Sequence, residues 1–214
     1  PFEGVNGSGK HNNWAMSTDT GENLLKPGAQ PEENYQFLTF LTAIIEAVDR
    51  YPELMRITVA SAGNDHRLGA NEAPPAIVSV FLGEQLDNAI KHMTRGDAVT
   101  SEDVEIDTGV DVIPNFMKDK TDRNRTSPFA FTGNKFEFRM LGSNQSIADP
   151  NIVLNTIVAE VLGEYADILE KVDEDSFQAE LKKLLTDRIM QHKRIIFNGN
   201  NYSDEWVVEA QRRA

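Results

Sequence analysis

The chain contains no cysteine, which excludes a disulfide framework, a thiolate zinc cluster and a thiol nucleophile. No apolar run reaches membrane-spanning length, so a membrane partner is not expected. The absence of cysteine fits either redox compartment, but the opening residues PFEGVNGSGK lack the charged and apolar regions of a signal peptide, so the cytoplasm is the expected location. Positive charge is also short. The 21 Lys and Arg are outnumbered by 34 Asp and Glu, for a formal charge of −13. Nucleic acid is therefore not an expected partner, because neutralising phosphates needs clustered cations.

What is present fits a globular chain. The 214 residues are 40% hydrophobic and 26% charged, enough for one domain with a substantial core. Residues 1–16 are rich in Gly and Asn and read as loop, as do the polar residues 17–33. Phe37, Leu38, Phe40, Leu41, Ile44, Ile45 and Val48 recur at helical spacing. Pro52 ends that helix, and a shorter one is expected near 53–61. Residues 66–75 form a Pro-terminated loop, and Ala76–Leu82 reads equally as strand or helix start. Gln85–Met93 is expected to be helical. The acidic stretch 96–121 offers a short strand at Val110–Ile113.

Residues 128–132 and 135–141 alternate as strands do. In the second, Phe136, Phe138 and Met140 face one way, and Lys135, Glu137 and Arg139 the other. Asp149-Pro150 signals a helix start with Pro in first place. Further helices are expected near 176–195 and 204–213. The C-terminal third thus reads as a helical layer beside a mixed α and β core.

Gly4-Val5-Asn6-Gly7-Ser8-Gly9-Lys10-His11 nearly spells a phosphate-binding P-loop. His11 stands where that motif needs a Ser or Thr hydroxyl for magnesium, and no helix opens after it. A plain Gly-rich turn would leave the packing of Asn, Ser, Lys and His unexplained.

NGSGKH followed by NNW resembles the N-G-S-G-x-H-x-H signature of glutamine synthetases, nearest its type III form with Asn in place of the second His. HRLGANEAPPA resembles the family's R-L-x-P-G-x-E-A-P loop, and RNRTSPFAFTGNKFEFR its R-N-R-S … R-x-E-x-R strand pair. The three matches come in the family's order and span most of residues 1–150.

The resemblance implies an α+β fold, a curved antiparallel sheet backed by helices, with a helical C-terminal extension. Residues 1–150 would belong to the catalytic domain, with 84–121 an insertion and 151–214 a helical region of the same domain. It implies ATP-dependent ligation of ammonium to the γ-carboxylate of glutamate through a γ-glutamyl phosphate, with Mg²⁺ or Mn²⁺ as cofactor and a ring-like homo-oligomer as assembly. His11 and Glu137 would be metal ligands. Arg67 and Arg139 would hold the glutamate carboxylate and the transferring phosphate, and Asn6 and Gly7 would contact glutamate's amino group. Ser8, Asn13, Arg125 and Lys135 would face ATP. Glu72 would bind ammonium and, with Arg125 and Arg139, serve the reaction.

Several positions depart from the family pattern. Asn13 replaces a histidine, Lys135 and Ala130 replace arginines, Ala15 replaces a serine, and Arg67 to Glu72 is one residue short. The family's other metal ligands precede the NGSG loop, so the isolated chain is expected to be inactive. Two alternatives remain open: a ligase of the same fold using another amine, and a non-catalytic relative acting in binding or assembly.

Overall fold

The computed structural model describes residues 9–70, 73–95, 105–106, 116–117 and 126–213. Helix α1 (Tyr35–Arg50) is its centre. Asn34 caps it by accepting the Phe37 amide at 3.0 Å. All nine residues from Leu41 to Asp49 are buried, so α1 is enclosed on every side. Pro52 does end it, and opens α2 (Pro52–Ile57) at the first helical position, where its missing N–H costs nothing. A further short helix, α3 (Ala62–Arg67), follows in a stretch that carries no clear periodicity.

A four-stranded sheet covers one side of α1. Its order is β1 (Gly9–Trp14), β6 (Phe136–Gly142), β5 (Phe129–Phe131), β2 (Val80–Phe81). Both pairs involving β6 are antiparallel, as expected, whereas β2 runs parallel to β5. The inner face is aromatic. Phe129 stacks on Phe136 at 4.6 Å, Phe131 meets Phe136 edge-on at 5.3 Å, and Phe37 of α1 reaches Phe131 at 5.9 Å. Strand β1 corrects the reading of residues 1–16 as loop. GKHNNW has no apolar alternation, but Asn12 and Trp14 turn inward and pair with β6.

The opposite side of α1 is covered by α5 (Ala148–Leu169) and α6 (Phe177–His192). The first of these begins at Ala148, so Pro150 stands third rather than first. Helix α4 (Glu84–Arg95) packs against α6 and buries Leu86, Ile90 and Met93. The expected helix at 176–195 ends in a 3₁₀ turn over Lys193–Ile195, and α7 (Asp204–Arg213) closes the chain. Between them the chain runs along β2: Phe197 N–H donates to Val80 C=O at 2.9 Å, and the Asn198 side chain accepts from the Leu82 and Gly83 amides. A separate antiparallel pair, β3 (Glu105–Ile106) with β4 (Phe116–Met117), lies in the acidic stretch; the strand expected at 110–113 falls outside the described residues. The architecture is α+β. No described helix is long and apolar enough to cross a membrane.

Candidate functional site

Alternation along β6 sends the phenylalanines into the core and Glu137 and Arg139 to the other face. Both neighbours of Glu137 meet its Oε2: His11 Nδ1 at 3.4 Å, and Arg139 through Nε and Nη2, each at 3.1 Å. Exposure is graded across the three. Arg139 is 5% exposed, Glu137 20% and His11 56%. His11 owes its place to a bulge. The β1–β6 register slips by one between Lys10 and Asn12, so His11 lies opposite two residues, Arg139 and Met140.

Partial burial, and then the Arg139 charge, hold the His11 imidazole below its ordinary pKa; Glu137 opposes them, and Arg67 adds to the depression. The ring is therefore kept neutral, with a lone pair to offer.

Arg67 comes to the same face from α3 and is itself 3% exposed. Its Nε donates to Asn64 Oδ1 at 2.9 Å and its Nη2 to the Leu141 carbonyl at 2.9 Å. Burial pulls its pKa down, with Tyr202 acting in the other direction. Gly9 makes room for it: a Cβ there would stand 2.5 Å from Nη1 of Arg67. The structure thus brings His11, Glu137, Arg139 and Arg67 together.

Asn13 and Ala130 both lie directly opposite Glu137, one on each neighbouring strand. Directly opposed residues share a sheet face, so these two departures from the family pattern flank the same carboxylate. Lys135 sits in the β5–β6 turn, where its carbonyl accepts the Thr132 amide at 2.8 Å. Asn6, Gly7, Ser8, Glu72 and Arg125 lie outside the described residues. The next residue after Arg125 is anchored, for Thr126 Oγ1 accepts the Asn201 amide at 2.9 Å, while Asn201 Nδ2 donates to Ser79 Oγ at 3.1 Å.

Sequence reasoning missed the residues that hold the site's backbone. Asn12 Nδ2 donates to Asn151 Oδ1 at 2.8 Å and Trp14 Nε1 to Asn155 Oδ1 at 2.9 Å, so α5 grips β1 from beneath. The available signal was two asparagines four residues apart at the start of a largely apolar helix. Asn64 and Gly9 were missed as well.

Among the described residues no cluster of three or more His, Cys, Asp or Glu could enclose a metal ion. A neutral imidazole beside a carboxylate nonetheless fits Mg²⁺ or Mn²⁺, ions that take most of their ligands from water and phosphate oxygens.

Comparison with known proteins decides the family. The whole chain is 54% identical to a type-3 glutamine synthetase of Dictyostelium discoideum, of which it covers 29%. The chain belongs to the glutamine synthetase family. It is also 49% identical to a glutamine synthetase of Butyrivibrio fibrisolvens and 46% to one of Bacteroides fragilis, again over its full length and 30% of each relative. Residues 180–214 match the model of the glutamine synthetase C-terminal domain. The chain spans about three tenths of the length of the curated relatives it matches. The matched C-terminal stretch contains α7 and the loop that runs along β2.

Proposed function

We propose that the protein containing this chain ligates ammonium to the γ-carboxylate of glutamate at the expense of ATP, forming glutamine. The observation that carries the reading is the convergence of His11, Glu137, Arg139 and Arg67 on one face, in a chain that aligns end to end with glutamine synthetases. Anionic substrates need cations around them, and a reacting phosphoryl needs its charge offset.

In this reading a γ-carboxylate oxygen of glutamate attacks the γ-phosphorus of ATP and ADP leaves. Arg67 holds the glutamate α-carboxylate. Arg139 pairs with the transferring phosphoryl, for which the guanidinium fork is suited. Glu137 keeps Arg139 oriented through the two contacts to Oε2. Asn6 and Gly7 contact glutamate's amino group, Ser8, Asn13 and Lys135 face the nucleotide, and Arg125 meets its phosphates. Glu72 takes up ammonium and receives its proton. The resulting ammonia attacks the acyl carbon, phosphate departs with the C–O bond electrons, and the surplus proton on the new amide nitrogen leaves with the phosphate. Exclusion of water protects the acyl phosphate from hydrolysis. Mg²⁺ or Mn²⁺ held by His11 and Glu137 would supply the positive charge that offsets the phosphoryl oxygens.

We also place the C-terminal helices at an interface between subunits of a homo-oligomer, on the strength of exposed apolar residues such as Val207 and Val208. The test of function is phosphate release by the full-length protein with ATP, magnesium, glutamate and ammonium supplied together and then singly withheld. Activity requiring all four supports the synthetase. Ala130 beside Glu137 favours a second reading, a binding or assembly protein without turnover. No phosphate release with any amine would select it, and release with another amine alone would select a glutamate–amine ligase.

A further inference from the structure

The buried side chain of Asn64 has all its polar groups engaged around one point. Its Nδ2 donates to the Val59 carbonyl and to the Met140 carbonyl, both at 2.8 Å, and its Oδ1 accepts Nε of Arg67 at 2.9 Å. It therefore ties α3 to the end of β6 and aims the guanidinium from behind. A second constraint acts from the front. Gly9 lies on β1 on the same face as His11, two residues away. Any side chain there would press on Nη1 and Cζ of Arg67, at 2.5 Å and 2.9 Å, and on the Leu141 carbonyl at 2.9 Å. That carbonyl is the acceptor of Nη2. Arg67 thus sits in a slot with an amide at one end, a carbonyl at one side and a bare backbone at the other.

We propose that Asn64 and Gly9 are positioning residues that fix the Arg67 guanidinium for a carboxylate ligand. The inference rests on the reading of Arg67 as the residue that holds glutamate. A guanidinium with two of its donors committed to fixed acceptors has little rotational freedom left to lose on binding. Releasing it weakens glutamate binding and leaves ATP binding alone. A residue that merely stabilised the fold would affect both substrates, or neither.

The experiment uses the full-length enzyme and its Gly9→Ala, Asn64→Leu, Asn64→Asp and Arg67→Gln variants. Steady-state KM for glutamate and for ATP is measured beside calorimetric titration with glutamate and the thermal midpoint. Gly9→Ala and Asn64→Leu are expected to weaken glutamate binding about tenfold, with KM for ATP within about twofold. Asn64→Asp keeps the acceptor for Nε and is expected to retain tighter glutamate binding than Asn64→Leu, although its thermal midpoint falls. Should the Asn64 variants fail to fold, Gly9→Ala still decides the matter. If Arg67→Gln weakens glutamate binding while Gly9→Ala does not, the positioning inference is overturned and Arg67 keeps its assigned role. Arg67→Gln with unchanged glutamate binding removes that role and the inference with it. Equal shifts in both KM values, or equal behaviour of Asn64→Leu and Asn64→Asp, also overturn it.

Discussion

Two clusters in this molecule share the same ingredients: carboxylates, arginines and a histidine. One lies on the outer face of β6 around Glu137, and the other is enclosed between α1, α5 and α6 around Glu46. Glu46 is 1% exposed and its oxygens are saturated. Oε1 meets Arg50 at 3.3 Å and Arg188 at 3.2 Å, and Oε2 accepts the Tyr165 hydroxyl at 2.8 Å. Asp49, one turn on, takes His192 at 2.9 Å and Arg194 at 2.9 Å. Burial, and next the bond to Glu46, drive the Tyr165 pKa upward, so the phenol stays a donor. The Glu137 cluster is open instead, with the imidazole of His11 more than half exposed. Residue types do not distinguish the two. Saturation and access do: a carboxylate whose acceptors are filled by helices it packs against holds a fold together, and one beside an exposed neutral imidazole can take a ligand.

Mutating the two carboxylates should therefore separate function from stability. Glu137→Gln in the full-length protein is expected to lower turnover by at least about 100-fold while costing less stability than the loss of Glu46, because the amide oxygen can still accept from Arg139. A parallel loss of folding would merge the two clusters into one class. Glu46→Ala should do the reverse. Arg50 keeps Glu164 at 2.8 Å, but leaving Arg188 and the buried Tyr165 hydroxyl without their acceptor is expected to cost about 3 kcal/mol in denaturant unfolding. An effect below about 1 kcal/mol would mean that the enclosed cluster is not structural.

The histidine at the open site adds a pH test. The His11 pKa is depressed in the folded chain, so the unfolded chain binds the proton more readily. The His11 contribution to stability is therefore present above the ordinary histidine pKa of about 6.5 and is lost as pH falls through the folded value. Metal binding should follow the same direction, weakening on acidification only below about 6.5. Comparing the wild type with His11→Gln in Mn²⁺ titrations across that window checks it; a decline beginning above pH 7 would contradict the depressed pKa. The smallest effect concerns the surface. Val207→Asp with Val208→Asp is expected to leave stability within about 0.5 kcal/mol while loosening subunit assembly, read by light scattering. Unchanged assembly would remove α7 from the interface.

The clearest sequence signals were those where one periodicity acted alone. Helix α1 shows in its apolar spacing, and the two faces of β6 in strict alternation. What periodicity did not show is that α1 is buried on its polar side too, because the partners that make burial of Glu46 and Asp49 possible come from α6, more than 140 residues away. Strand β1 was hidden for a similar reason. Its inward residue Asn12 is polar and tolerable in the core only because Asn151 answers it. At the site, Glu137 and Arg139 shared a face on alternation alone, whereas His11 joined them through motif resemblance. Asn64 carried no signal, since its role depends on Met140 lying 76 residues further along the chain.

The most direct test is a calorimetric Mn²⁺ titration of the full-length protein and its Glu137→Gln variant in the presence of a non-hydrolysable ATP analogue. The amide keeps the shape of the side chain and removes its charge. The account predicts that one class of Mn²⁺ site is lost or weakened at least about tenfold. Identical affinity and stoichiometry in the two proteins would contradict it.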